Sequence, residues 1–159
     1  MKYFEDFQVG DVEHVGKHEL GRAEAIAFAA AYDPQPFHLD DAAAAANPIF
    51  GRLSASGWHT ALIAMRLVAE HSRRTGARAV GSPGLDELRW LKPVYPGDVL
   101  RVETEVIAKS TSRTRPGIGF VKVRTVVFNQ NGDPVLRQVA TTMQPRRPEA
   151  AERSGGNAN

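Results

Sequence analysis

Apolar residues recur along this chain in two rhythms, and the change falls near Gly76. From Trp58 to about Arg74, the residues Trp58, Ala61, Leu62, Met65, Val68 and Ala69 follow the spacing of three, four and seven that marks one helical face. Ile63, Ala64 and Leu67 fall elsewhere, so the first three turns are apolar nearly all round. That pattern predicts a helix enclosed by other structure, with its charges (Glu70, His71, Arg73, Arg74) gathered at the far end. Beyond Gly76 the period shortens to two. Leu100 to Val106 alternates strictly, as a half-buried strand does. Phe120 to Phe128 and Pro134 to Met143 read as further strands, joined across Asn131-Gly132, a strong hairpin signal. Leu85 to Val94, ahead of the Pro96-Gly97-Asp98 turn, reads as another.

Upstream of the long helix, Phe4 to Gly10 forms an arm and Val12 to Leu20 a first strand. Gly21 breaks the chain before an alanine-rich helix that ends near Tyr32. Asp40 and Asp41 head a short helix over Ala42 to Ala46, where acids favour the N-terminus, and Asn47-Pro48 stops it. One strand, one long helix and four more strands predict an α+β fold. In that order a curved antiparallel sheet is expected to wrap the central helix, in a single domain over residues 1–146. Residues 147–159 are polar and aperiodic, and are expected to be a disordered tail.

Composition narrows the function classes. The chain has 159 residues, enough for one domain with a substantial core. Its longest apolar run falls far short of the roughly 20 residues of a membrane span, and Met1 to Asp6 lacks the apolar centre of a signal peptide. A cytoplasmic location is therefore expected. There are no cysteines, which excludes disulfides and thiolate chemistry. Lysines and arginines are dispersed and the net charge is only +2, which argues against a nucleic-acid partner. Metal-ligand spacings and phosphate-cradling glycine motifs are both missing, so no metal or nucleotide cofactor is expected.

The densest chemistry lies in Tyr32-Asp33-Pro34-Gln35-Pro36-Phe37-His38. Each proline fixes its own φ and pushes the preceding residue out of the helical region, so the segment is expected to be a rigid, non-helical turn. Such a turn can aim an acid and an imidazole at one point, as acid–base catalysis requires. Extended, five residues would reach roughly 17 Å, so the pair cooperates only if the turn folds back. Ser56-Gly57-Trp58-His59-Thr60 then opens the long helix with small residues, where free backbone N–H groups can receive developing negative charge. Ser56, with Ser54 as second choice, reads as an N-cap and not a nucleophile, His59 as a packing or hydrogen-bonding residue, and His14, His18 and His71 as surface residues.

With these residues the chain resembles the MaoC-like dehydratases, whose type activity is (R)-specific enoyl-CoA hydratase. The resemblance runs through Asp33, Pro36, His38, Asp40 with Ala44, and Ser56-Gly57. Further matches lie at Lys92 to Asp98, Ser110 to Gly117 and Phe128 to Gly132, so that it covers residues 3–146. It implies the hotdog fold and the reversible hydration of 2-enoyl-CoA thioesters, with coenzyme A part of the substrate and no separate cofactor. Asp33 and His38 would handle protons, and the Gly57 N–H would hold the thioester oxygen. Ser56, Gln35, Pro36, Phe37, Trp58, Lys92, Arg113 and Arg115 would bind substrate, the last three being candidates for the CoA phosphates. A homodimer or dimer of dimers is implied. Gln35 stands where the family commonly has Asn, and Leu62 where some hydratases carry a serine. The alternatives are a hotdog acyl-CoA thioesterase, which usually has a carboxylate near the start of the central helix, and a non-catalytic acyl-CoA-binding domain.

Overall fold

A computed structural model describes residues 1–148. A 3-10 turn at Phe4–Asp6 precedes β1 (Val12–Glu19), α1 (Arg22–Tyr32), α2 (Pro36–Leu39), α3 (Asp41–Ala46) and α4 (Gly57–Thr75). Then come β2 (Gly81–Trp90), β3 (Val99–Thr111), β4 (Ile118–Phe128) and β5 (Pro134–Pro145). The five strands form one antiparallel sheet in the order β1-β3-β4-β5-β2.

Alternation decides which face of each strand is covered. Leu100, Val102 and Val106 of β3, and Val121, Thr125 and Val127 of β4, point inward and are buried. Against this face α4 lays Thr60, Ile63, Ala64 and Leu67, a run at i, i+3, i+4 and i+7. Ile63, Ala64 and Leu67 join Val15, Leu20, Leu100, Val102, Val127 and Leu136 in the main core.

The structure corrects the reading of α4 as an enclosed helix. Trp58, Leu62 and Met65, assigned above to its apolar face, are 53%, 53% and 54% exposed in this chain. The helix carries two apolar stripes, and the sheet covers only one. The fourth predicted strand also shifts. β2 runs from Gly81 to Trp90, not from Leu85 to Val94, and contains Pro83. An edge strand tolerates a proline because one side of its backbone needs no sheet partner. Val94 lies beyond the strand, in the loop to β3, where its carbonyl accepts from Ala55 N at 2.8 Å.

The N-terminal arm is part of the packing. Phe4 and Phe7 form a second buried cluster with Val106 and Val121. Gly119 of β4 lies directly beneath Phe4, since a Cβ added there would stand 2.1 Å from the ring. Gly119→Ala should therefore displace Phe4 and destabilise the protein by about 1–3 kcal/mol. In a Phe4→Ala background the same substitution should cost almost nothing, and urea unfolding of the three variants checks this. Arg147, first residue of the expected tail, has its N–H on Glu5 and its guanidinium on Asp6. Pro148 is the last described residue, and 149–159 of that tail lie outside the described residues. Among the described residues no helix is long and apolar enough to cross a membrane.

Candidate active site

α1 ends where the sequence requires. Asp33 is its C-cap, at φ −149° and ψ 68°, because Pro34 forbids the helical conformation one residue earlier. The second proline acts differently. Pro36 is the first residue of α2, a position where a fixed φ suits a helix and a missing N–H is no loss. The acid-to-imidazole segment is thus a turn as far as Gln35 and a single helical turn after it, which corrects the expectation of a wholly non-helical stretch. His38 rides on that turn and points inward, 5% exposed.

The folded-back turn brings His38 Nε2 to 3.5 Å from Asp33 Oδ2. The other ring nitrogen is fixed by the backbone, with Nδ1 2.7 Å from the carbonyl oxygen of Ser54. A carbonyl only accepts, so Nδ1 carries the proton. In the neutral imidazole the lone pair is then on Nε2, beside Asp33. Phe37 and Phe50 back the ring, with centroids 4.6 Å and 5.8 Å from it.

Ser56 sits at the N-cap position of α4 but makes no side-chain capping bond. It is completely buried, and its hydroxyl donates to Asp33 Oδ2 at 2.7 Å. The serine read as a cap is therefore a support for the acid. Asp33 Oδ1 has no hydrogen-bond partner among the described residues. With no cap, the first N–H groups of α4, that of Gly57 among them, are also without partners among the described residues.

Asp33, His38 and Gly57 open on one cavity of about 400 Å³. Phe50, Val94, Val135, Trp90 and Leu91 make most of the remaining wall apolar, and Thr60 adds a hydroxyl. Of the residues expected to bind substrate, Trp58 and Lys92 line it too, and Lys92 pairs with Asp133 at 3.0 Å. Gln35 and Pro36 are exposed and outside it, while Phe37 acts through His38. Arg113 and Arg115 lie on the β3–β4 hairpin, whereas the cavity is at the Val135 end of the sheet. Ten strand residues separate these ends, roughly 33 Å, so one chain does not bring the two arginines to its own cavity. Leu62, half exposed, does not line it either; the helix hydroxyl that does is Thr60. Among the described residues no three His, Asp or Glu side chains gather as a metal site.

Two of the surface histidines need correction. His18 pairs with Glu24 at 2.6 Å and His71 with Glu13 at 2.8 Å, both largely covered, and only His14 projects into solvent. His59 packs, stacked on Phe28 at 4.5 Å, and its buried Nδ1 has no partner among the described residues. Burial holds its pKa below the ordinary 6.5; Glu24 opposes that shift, while His18 and Arg66 add to it. The unfolded chain therefore binds the proton more readily, so stability is intact above pH 6.5 and falls as pH drops below it. Urea midpoints between pH 7.5 and 5.5 should show this loss, and His59→Phe should flatten it.

The family described as MaoC like domain matches residues 9–127. This chain belongs to it. Mesaconyl-CoA hydratase of Cereibacter sphaeroides is 34% identical over 157 residues, covering 94% of this chain and 43% of that protein. The chain thus spans less than half the length of that relative. Among solved structures, a MaoC-like dehydratase from Rhodospirillum rubrum is 41% identical with a TM-score of 0.82, covering 93% of this chain and 99% of that one. The (R)-hydratase from A. caviae involved in PHA biosynthesis is 28% identical with a TM-score of 0.68, covering 89% and 99%. The antiparallel sheet around α4 is the hotdog fold. At the level of the family the activity is that of a hydratase or dehydratase.

Proposed function

We propose that this protein adds water reversibly across the α,β double bond of a 2-enoyl-CoA thioester, with (R)-3-hydroxyacyl-CoA as the hydrated partner. The observation that carries the proposal is the Asp33–His38 pair, 3.5 Å apart, sharing one cavity with the uncapped start of α4. The two groups are too close to serve opposite faces of a substrate, so they hold a single water. That water gives one hydrogen to the bare Nε2 of His38 and directs the other to an oxygen of Asp33, which orients it. The water oxygen bonds to the β-carbon, and the π electrons move through the α-carbon onto the thioester oxygen. The N–H of Gly57, at the positive end of α4, receives that enolate. His38 Nε2–H then protonates the α-carbon, so that OH and H are added and the imidazole returns to its neutral form. The thioester itself acidifies the α-position, and no further cofactor takes part.

Incubation with crotonyl-CoA tests the reaction. Loss of the enoyl absorbance without free thiol is the expected result. Release of free thiol would instead make the protein a thioesterase, although α4 carries no acid before Glu70. No change would fit an acyl-CoA-binding domain or an enzyme for another acyl chain, which longer enoyl-CoA thioesters separate.

The exposed stripe of α4 and the outer edge of β2 are included in the proposal. Trp58, Leu62 and Met65 on α4 are exposed, as are Val80 and Leu85 at the unpaired edge strand, and a second copy of this chain would cover them. Equilibrium sedimentation should give a dimer or dimer of dimers at micromolar concentration, and a monomer would overturn this part. The same pairing is what Arg113 and Arg115 need in order to reach a cavity, namely the partner's. Lys92 already lines this chain's own, and Lys92→Ala should raise KM for CoA thioesters in a salt-dependent way.

A further inference from the structure

We propose that the indole N–H of Trp90 is a second donor to the thioester oxygen, acting beside the backbone N–H of Gly57. The inference rests on the reading above only in placing an acyl thioester in the cavity. Trp90 is the last residue of β2, and its side chain reaches across to the start of α4. A Cβ placed on Gly57 would stand 2.3 Å from Nε1, 2.6 Å from Cε2 and 2.7 Å from Cδ1 of Trp90. Three nearly equal distances mean that the face of the pyrrole ring, not its edge, covers this glycine, with the nitrogen nearest. The ring is held there by Trp58, edge-on with centroids 5.1 Å apart and planes at 78°.

An indole nitrogen donates and never accepts, and that of Trp90 has no partner among the described residues. The cavity lining offers acceptor side chains at Asp33 and Thr60, and neither bonds this nitrogen, while Trp90 itself is 47% exposed. A donor in such a place is satisfied only by water or by the substrate. The thioester oxygen has two lone pairs, and it is the substrate oxygen that gains charge as the β-carbon is attacked. One pair goes to Gly57 N–H and leaves the other for a donor on the same side, where Trp90 stands. Trp90 transfers no proton; it lowers the energy of the enolate by a hydrogen bond that strengthens as charge develops. The contact also explains why residue 57 has no side chain, since any Cβ would push the donor away.

The test removes the N–H at constant shape. Steady-state hydration of crotonyl-CoA is measured for the wild type, for Trp90→Phe, and for protein with 3-benzothienylalanine at position 90, in which sulfur replaces the indole N–H. Both changes should lower kcat by about a hundredfold with KM little altered, because the bond is strongest in the transition state. Far-UV circular dichroism and the unfolding midpoint should match the wild type for the benzothienyl protein, which a role in packing alone would predict to be fully active. A benzothienyl protein with kcat within about threefold of wild type would overturn the proposal. So would an equal loss on Thr60→Val with none at Trp90, which would assign the second donor to the threonine hydroxyl. Calorimetric binding of butyryl-CoA against its thioether analogue, which lacks the carbonyl oxygen, separates this inference from the proposed reaction. A wild type inert to crotonyl-CoA that prefers the thioester, with the preference lost in the benzothienyl protein, would retire the hydratase and keep the donor. A wild type without that preference and without turnover, or a preference that survives the substitution, would remove the donor.

Discussion

Asp33→Asn and His38→Ala should each lower kcat for crotonyl-CoA by at least about a hundredfold, the usual worth of a positioned acid–base group. The asparagine keeps the size of the acid and can still accept from Ser56, which bonds Asp33 Oδ2 at 2.7 Å. It loses the charge, and its amide can donate toward the bare Nε2 that must take a proton from water. The alanine removes the base itself and leaves the Ser54 carbonyl without the donor now 2.7 Å away. His38 is buried, so His38→Ala should also lose stability, and circular dichroism must show a folded protein before turnover is interpreted. The double variant is the sharper test. If both groups hold one water, removing either already breaks the arrangement, and removing both should cost little more than the worse single change. Fully multiplicative losses would mean two independent roles, and near-normal turnover in either folded single variant would take that residue out of the mechanism.

Most of the sheet was legible because burial on one face imposes a period of two, and a register slip would expose every inward residue. Leu100, Val102, Val121 and Val127 follow from that rule and are buried as it requires. The rule runs out at β2, an edge strand with mostly exposed side chains whose bounds its alternation does not set. It also runs out on α4, where two apolar stripes compete and periodicity alone cannot say which meets the sheet. Ile63, Ala64 and Leu67 won; Trp58, Leu62 and Met65 face outward. The proline rule was sound at Pro34 and over-applied at Pro36, where the same fixed φ starts a helix instead of preventing one.

The candidate site was legible where its members are neighbours in sequence. Asp33 and His38 lie on one turn, and Gly57 opens the helix that the hydropathy pattern had already located. Trp90, Val94 and Val135 reach the cavity from β2, its following loop and β5, and no local spacing announces such contacts. The one signal at Trp90 was an aromatic in the alternation Leu88-Arg89-Trp90 just ahead of Lys92-Pro93. The Ser56 hydroxyl was misread for a related reason. Its position at a helix start favours a cap, in which the oxygen accepts a backbone N–H, but the hydroxyl instead donates to Asp33, 23 residues away, and no capping bond forms.

Gly57→Val should abolish turnover, and the reason is specific to this chain. The first atom of any side chain at residue 57 would stand 2.3 Å from the indole of Trp90, so the ring must leave or the helix start must shift. Either movement displaces the backbone N–H that receives the enolate, whose loss alone costs on the order of a hundredfold. The valine methyl groups would then fill the path by which the thioester reaches it. Ser56→Ala makes the contrast. Since Ser56 orients Asp33 and does not cap α4, the substitution should slow the reaction without abolishing it. It should also destabilise by about 1 kcal/mol, the usual worth of one hydrogen bond. Gly57→Ala combined with Trp90→Ala closes the argument. Removing the indole should restore the thermal stability that Gly57→Ala loses, because the clash is gone. Activity should not return, because the ring and its N–H are gone with it. Stability and turnover recovering together would show that crowding, and not the placement of donors, is what residue 57 controls.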